Sequence, residues 1–477
     1  MAFSDPVNSP SAGNVYINGL LWGSHWNDLA AGTRLKVYIA GRSGNELFDF
    51  GGVAVTANTA LQEVTAFQHA MQLIKNVCNV DFVTAVNQAD ADIIVGAVNN
   101  ADAEGGLGVS VPPGEDVGPV INRQGAAIVN FDQYYSSDYS SLRQGGYDFI
   151  SFVHELGHAI GLKHPHDSGG GGRPNFPGVT DPFGDYGDFN LNQGIYTMMS
   201  YNDGLQVGPN SPLDPISNSG YGYEGSPMAL DIAALQFLYG ANTNFQAGNN
   251  VYTLSSMNAP GTFYSCLWDT GGADTIRNTS TKNATIDLRA ATLQHAVGGG
   301  GYLSAVDGIY GGLTIANGVM IENAVGGSGI DKITGNGAAN TLLGNAGADW
   351  ISGLGGADRI IGGTGADTLT GGGGADDFVY VAANNSVGQF DMIKDFVHGL
   401  DDLDVAAIDA NGAAAGNAAF IFRGKSAFSG AGAEVRFTHN GSNNVTNVLF
   451  DIDGNQISDM TIRLTGLIAL DAGDFIL

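Results

Sequence analysis

The sequence predicts two units of different class: a mixed α/β domain over residues 1–240, followed by an all-β parallel β-roll over 241–477. Three observations carry this. Glycine, 73 of the 477 residues, concentrates in the second half. Helical periodicity is clear in the first half and largely disappears after about residue 240. Residues 326–379 then repeat every nine positions, six times over, approximately as G-G-x-G-x-D-x-U-x with U apolar.

In the first unit, residues 35–40, 92–96 and 126–131 read as short strands. A helix is expected from Thr59, with Thr59 and Gln62 as a capping box and Val64, Phe67, Met71, Ile74 and Val77 on one face. A second helix should run from about 147 to 162 and bury Phe149, Phe152, Val153, Leu156 and Ile160. A last one begins at Ser226-Pro227, with Ser at the cap and Pro in the first turn, and ends at Tyr239-Gly240.

The second of these helices contains His154-Glu155-Leu156-Gly157-His158-Ala159-Ile160-Gly161-Leu162-Lys163-His164. His154 and His158 are four apart, so they project from one helical face and can grip one ion together. Gly161 can take a left-handed conformation, end the helix and turn the chain so that His164 arrives as third ligand. Three protein ligands leave an open position, the mark of a catalytic rather than a structural zinc. Glu155 stands beside them, placed to accept a proton from a water whose pKa the metal lowers toward ~7.

Composition bounds the rest. The formal charge is −29 and comes from 39 Asp against eight Glu. Asp is a turn-compatible oxygen donor, so the bias favours calcium loops over charged helices, and it argues against nucleic acid or anionic membranes as partners. No apolar run approaches the ~20 residues of a membrane span. Met1-Ala-Phe-Ser-Asp-Pro shows no basic stretch followed by an apolar run, so no Sec signal is expected. A disulfide between Cys78 and Cys266 is possible but not indicated.

The repeats place Asp331, Asn340, Asp349, Asp358, Asp367 and Asp376 at the sixth position. Ile333, Leu342, Ile351, Ile360, Leu369 and Phe378 stand at the eighth, each able to anchor a short strand. Glycines permit tight loops whose carbonyls point inward. Calcium between successive turns is expected on the Asp carboxylates together with backbone carbonyls of Gly344, Ala346, Gly353, Gly355, Gly362, Thr364, Gly371 and Gly373. Such a roll should not fold without calcium, and Asn340 should weaken one site.

About 35 residues beyond the histidines comes Thr197-Met198-Met199-Ser200-Tyr201. The extended histidine motif followed by a Met-containing turn resembles the metzincin proteases, and Met199-Ser200-Tyr201 resembles the Met-turn of the serralysin family. The resemblance covers nearly the whole chain. It implies a metzincin-type protease domain with Met199 as the floor beneath zinc and Tyr201 as a displaceable ligand that helps stabilise the transition state. Residues 17–26 resemble the segment before the first strand. Residues 107–111 resemble the sheet-edge strand on which metzincins lay an extended substrate, which implies broad protein specificity. The segment 169–195 departs from the family pattern, with a four-glycine run, Pro174, Pro177 and Pro182; His166 adds a further imidazole.

The same resemblance implies calcium ligands before the repeats at Asp269, Gly271, Gly272, Asp274 and Glu322, with carbonyls of Gln246, Gly248 and Met320. After the repeats it implies Asp391, while Asn385 stands one residue out of step. The ending Gly473-Asp474-Phe475-Ile476-Leu477 resembles the C-terminal signal of proteins exported by bacterial type I secretion. The expectation is therefore a secreted, extracellular, monomeric zinc endopeptidase, folded by calcium outside the cell, with proteins or peptides as substrates and the type I machinery as partner. Two alternatives stay open: a calcium-dependent surface- or matrix-binding protein with a vestigial protease domain, and a metzincin that processes one narrow substrate.

Overall fold

The computed structural model describes residues 5–27, 33–50, 53–103, 105–114, 125–134, 137–170, 172–207, 219–382, 389–410 and 419–477. Residues 1–4 of the leader reading, Gly171 of the four-glycine run and Asn385 lie outside the described residues.

The first half contains β1 (Asp5–Asn8), α1 (Val15–Leu20), β2 (Ser24–Asn27), β3 (Thr33–Ile39), β4 (Glu46–Phe50), β5 (Val53–Ala57), α2 (Leu61–Val77), β6 (Val80–Thr84), β7 (Ile93–Val98), β8 (Gly108–Val111), β9 (Gly125–Asn130), α3 (Tyr147–Ala159) and α4 (Ala229–Tyr239). The main sheet joins β8-β9-β7-β3-β6, in which β9, β7, β3 and β6 are parallel and β8 runs antiparallel to β9, and the antiparallel hairpin β4-β5 attaches to it through β7. Every residue of β7 and β9 is buried, as expected of parallel strands covered on both faces. Helices α2 and α3 pack together through Phe67 and Phe152, whose ring centroids are 4.6 Å apart.

The three strands expected from sequence are present within a residue or two at each end. The helix starts differ. Thr59 does not cap α2, because its hydroxyl donates to Ala40 O at 2.6 Å and accepts from Ala97 N–H at 2.9 Å, which commits it to the sheet. The helix instead starts after Ala60, whose N–H donates to the Glu63 carboxylate. Likewise α4 starts after Met228, whose N–H donates to Asp231 at 2.9 Å, so Ser226 is not its cap.

Helix α3 ends at Ala159, three residues short of expectation. Gly161 has φ +104, and a Cβ there would meet Ser24 O at 2.5 Å, so only glycine lets the chain turn here. The last helical carbonyls are taken by side chains: the Trp26 indole donates to Ala159 O at 2.8 Å and the Tyr239 hydroxyl to Ile160 O at 2.6 Å. Trp22 N–H and Lys163 N–H then cross-link the exit segment to residues 20–22, through Gly161 O and Leu20 O at 2.9 Å each.

The second half is a right-angled contrast in composition and a simple object in space. Successive nonapeptides alternate between two parallel sheets, so each strand pairs with the one 18 residues on: Leu342 with Ile360 on one side, Ile351 with Leu369 on the other. Among the described residues one sheet has eight strands and the other ten, the latter including antiparallel pairs toward both ends. All six apolar eighth-position residues are buried between them. The strand Phe475–Ile476 closes the eight-stranded sheet beside Asp402–Asp404. Cys78 and Cys266 are both buried and free. Among the described residues, no helix is long and apolar enough to cross a membrane.

Because Ile360 is fully buried in the roll, Ile360→Ala should destabilise the calcium-loaded chain by about 2–5 kcal/mol. Denaturant unfolding at saturating calcium checks this.

Candidate metal centres and catalytic cleft

Helix α3 and the chain that leaves it bring three imidazoles to one point. The Nε2 atoms of His154, His158 and His164 lie 2.9–3.1 Å from one another. Each ring is oriented through its other nitrogen. His154 Nδ1 is 2.8 Å from Met198 O, His158 Nδ1 is 2.9 Å from Leu162 O, and His164 Nδ1 is 2.7 Å from an Asp167 carboxylate oxygen. With protons on Nδ1, all three Nε2 lone pairs face inward, the arrangement of a metal-binding His set. Tetrahedral zinc with Zn–N of about 2.0–2.1 Å separates its nitrogens by roughly 3.3–3.4 Å, so the triangle needs to open by only a few tenths of an ångström. Burial, with repulsion between the rings, lowers the imidazole pKa values to about 3 for His154 and His158 and about 4 for His164.

Glu155 points from the same helix toward β8. Its Oε2 accepts from the Ser110 hydroxyl at 2.6 Å, and burial pushes its pKa up to about 8. The approach of strand to helix depends on Gly108, where a Cβ would lie 2.6 Å from the Glu155 side chain. Met199 is fully buried under α3; a Cβ on Gly157 would meet its Sδ at 2.9 Å. The turn carrying it is held by Asp231 of α4, which accepts from Thr197 Oγ1 at 2.6 Å and Met198 N–H at 2.7 Å. Tyr201 packs its ring 4.5 Å from His164 and 5.8 Å from His154, and its pKa is pushed up to about 12, by burial first and then by nearby carboxylates.

These groups border a cleft of about 310 Å³ lined by Gly106, Leu107, Gly108, Tyr147, Ile150, Ser151, His154, Glu155, Phe183, Ser200, Tyr201 and Asp203. Strand β8 flanks it with an edge that pairs only with β9 among the described strands. His166, the extra imidazole, stacks on His164 at 4.9 Å and 12°.

All the residues singled out around the histidine motif are therefore brought together. Sequence reasoning missed Ser110, Asp167 and Asp231. Asp167 follows His164 by three residues, and Asp231 lies three residues after a helix start, so both positions carry a local signal. Ser110 carries none, because its role depends on strand register. Burial tends to raise the Asp167 carboxyl, but the bond from His164, the charges of His164 and Lys163 and the Gly169 N–H outweigh it and bring the pKa down to about 2.

In the roll, the sixth-position residues form a ladder. An oxygen of Asp349 accepts the N–H of Asp331, and the same bond joins Asn340 to Asp358, Asp349 to Asp367 and Asp358 to Asp376, all at 2.8–2.9 Å. Asp391 and Asp401 continue it by accepting from Asp367 and Asp376; Asp401 was not anticipated. The second oxygens of Asp349, Asp358 and Asp367 are buried without a hydrogen-bond partner. Carbonyls face them: a Cβ placed on Gly353 would meet Asp358 Oδ2 at 2.0 Å and Gly371 O at 2.6 Å, and one on Gly344 would meet Asp349 Oδ2 and Gly362 O at 2.4 Å each. Burial first, and neighbouring Asp charges second, push Asp349 and Asp367 to about 7 and Asp358 to about 6. Orphaned carboxylate oxygens beside inward carbonyls are the donor set of a hard cation. Asn340 keeps its place in the ladder as a neutral group, its amide donating to Glu322 O at 3.1 Å.

Before the repeats, Asp274 accepts from Asn250 N–H, Glu322 accepts from Asp274 N–H, and Asp274 Oδ2 is buried without a partner. Gly271 N–H donates to Asp269, and a Cβ on Gly272 would meet Gly248 O at 2.4 Å. Gln246 and Met320 stand beside this group in the chain, and their carbonyls remain an expectation from sequence.

Comparison with known proteins accords with both halves. The family model for matrixins, Peptidase M10, matches residues 53–171, and that for the Peptidase M10 serralysin C terminal matches residues 229–477. A serralysin of Photorhabdus laumondii is 33% identical over 440 residues, covering 87% of this chain and 82% of that one. Metalloprotease AprA of Pseudomonas entomophila is 34% identical, covering 84% and 77%, and a serralysin of Proteus mirabilis is 38% identical, covering 72% and 67%. Among solved structures, the AlgE6R3 subunit of an Azotobacter vinelandii mannuronan C5-epimerase matches 34% of this chain and 86% of its own, with 26% identity and a TM-score of 0.26. On the matched C-terminal model and on relatives aligned over most of their length, the chain belongs to the serralysin family of zinc metalloendopeptidases.

Proposed function

We propose that the protein is a secreted endopeptidase that cleaves peptide bonds in proteins at the cleft beside β8, with His154, His158 and His164 holding a catalytic zinc and Glu155 as general base. The observation that carries this is the triangle of Nε2 atoms with the carboxylate of Glu155 beside it. When bound, zinc supplies Lewis acidity toward the scissile carbonyl and a water. The chain's residues do the rest. Glu155, held by Ser110, accepts the proton of the attacking water and passes it to the leaving amine. The Tyr201 hydroxyl, kept protonated by its raised pKa, donates to the developing oxyanion. The edge of β8 pairs with an extended substrate backbone, which reads shape more than sequence. Met199 supports α3 from below.

The same reading assigns structural calcium to Asp331, Asn340, Asp349, Asp358, Asp367, Asp376 and Asp391 with the loop carbonyls, and to the group around Asp269, Asp274 and Glu322. It takes 1–240 as the protease domain and 241–477 as the calcium domain, with export by a type I route before the roll folds.

Replacing Glu155 by Gln should lower caseinolysis by about 10²–10⁴-fold while zinc content, measured by atomic emission, stays unchanged; retained proteolysis would remove Glu155 from the role of base. Asp167→Ala should weaken zinc affinity by about 10–100-fold, read by competition with a chromogenic chelator. The acidic ladder also predicts a pH dependence. A carboxyl whose folded pKa is raised stabilises the metal-free fold below its unfolded pKa, and that stability is lost as pH rises through the folded value. In protein freed of calcium by chelation at pH 8 and desalting, the roll's share of the β signal in circular dichroism should therefore be largest near pH 4 and be lost by pH 8, and calcium should restore it at pH 8.

A further inference from the structure

The cleft has a pair of carboxyl groups that the proposed chemistry leaves unused, and burial raises that of Asp203 to about 7. Asp203 lies two residues beyond Tyr201, lines the cleft and accepts a hydrogen bond from the Tyr147 hydroxyl. Behind it sits Glu224, only 2% exposed; one of its oxygens takes Gly204 N–H at 2.8 Å, while Oε1 is buried with no partner. Burial, and then the nearby charge of Asp203, raises the Glu224 carboxyl well above its usual range. Among the described residues, no lysine or arginine lines the cleft to offset this pair.

Several of the other lining residues are apolar or aromatic. Leu107 stands on one side, Ile150 on α3, and Tyr147, Phe183 and Tyr201 contribute rings. Phe183 is 70% exposed yet stacks on Tyr201 at 5.2 Å and 29°, so it stands as an open aromatic face rather than as core. Its loop is fixed to the chain beside Asp203 by Gly184 N–H donating to Asn202 Oδ1 at 2.8 Å. This lining suits a long side chain with an apolar stem and a cationic head. Planar guanidinium stacks on aromatic faces and pairs with carboxylate through fixed donors, which favours arginine over lysine.

We propose that Asp203, backed by Glu224 and walled by Tyr147 and Phe183, makes this cleft a subsite for a basic side chain of the substrate, with arginine preferred. The proposal rests on the reading of the cleft as the active site and deepens it by naming the substrate class. Asp203 acts on specificity and takes no part in bond cleavage.

The test uses the full calcium- and zinc-loaded chain and a peptide series with one cleavable bond, carrying Arg, citrulline, Leu or Glu in turn at each of three positions on either side of it. Citrulline keeps the shape of arginine and removes the charge. At one position, Arg should exceed citrulline in kcat/KM by about tenfold or more, with Glu poorest, and Asp203→Asn should bring the Arg-to-citrulline ratio near one. Equal cleavage of Arg and citrulline peptides at every position overturns the proposal, as does a preference that survives Asp203→Asn. If that variant does not fold, the wild-type ratio decides alone. A peptide cleavage that persists in Glu155→Gln instead overturns the underlying reading of the cleft, so the two failures are distinct.

Discussion

Three imidazole nitrogens within 3.1 Å of one another can serve one ion together only while their inward lone pairs are free of protons. Much of the first domain serves that constraint. Burial of α3 keeps the rings neutral, and each Nδ1 is given a fixed acceptor, two of them backbone carbonyls and one the Asp167 carboxylate. The carbonyl of Met198 is in place because Asp231 holds the turn, and that of Leu162 because Gly161 turns the chain against β2. The ligand geometry is thus set by α4 and by the segment 20–26 as much as by the helix that carries the motif.

The roll meets the same electrostatic problem with the sign reversed. Its ladder stacks carboxylates in a buried column, each tied to the N–H of the residue 18 positions earlier. In Asp349, Asp358 and Asp367 one oxygen is satisfied by that bond and the other is buried with nothing to pair it. Hydrophobic burial of Ile351, Ile360 and Leu369 favours the stack, while ionisation of the ladder opposes it. A divalent cation removes the conflict, and a proton removes it less completely. On the proposed calcium assignment, the fold of this half depends on the cation and on pH in a way that the first half does not.

How much of this was legible beforehand follows from how local each signal is. The nonapeptide register gave the ladder, its apolar partners and the parallel stacking, because every contact there repeats at a fixed chain separation. The histidine motif foretold the convergence of three imidazoles, because 3.6-residue periodicity and one glycine decide where they point. Helix starts were placed one to two residues early, since Thr59 and Ser226 look like caps but are engaged elsewhere, Thr59 by the sheet through Ala40 and Ala97 and Ser226 by the Cys266 N–H. Ser110 and Asp203 were out of reach, because their positions depend on strand register and on a loop whose path no short-range pattern encodes.

The segment 180–195 shows how the two halves meet mechanically. On one side Asn202, just past the Met-turn, accepts from Gly184 and donates to Asp185 O and Asn192 O. On the other side the segment rests on the β-rich half: His295 lies 2.9 Å from Asp188, its ring packs on Phe189 at 5.1 Å, and a Cβ on Gly300 would meet the Tyr196 ring at 2.4 Å. Phe189 and Asn190 both adopt positive φ, a strained arrangement for non-glycine residues that survives only where surrounding contacts impose it. Those contacts come in part from residues 295–300. The loop that presents Phe183 to the cleft is accordingly braced by the β-rich half, and its shape depends on that half being folded.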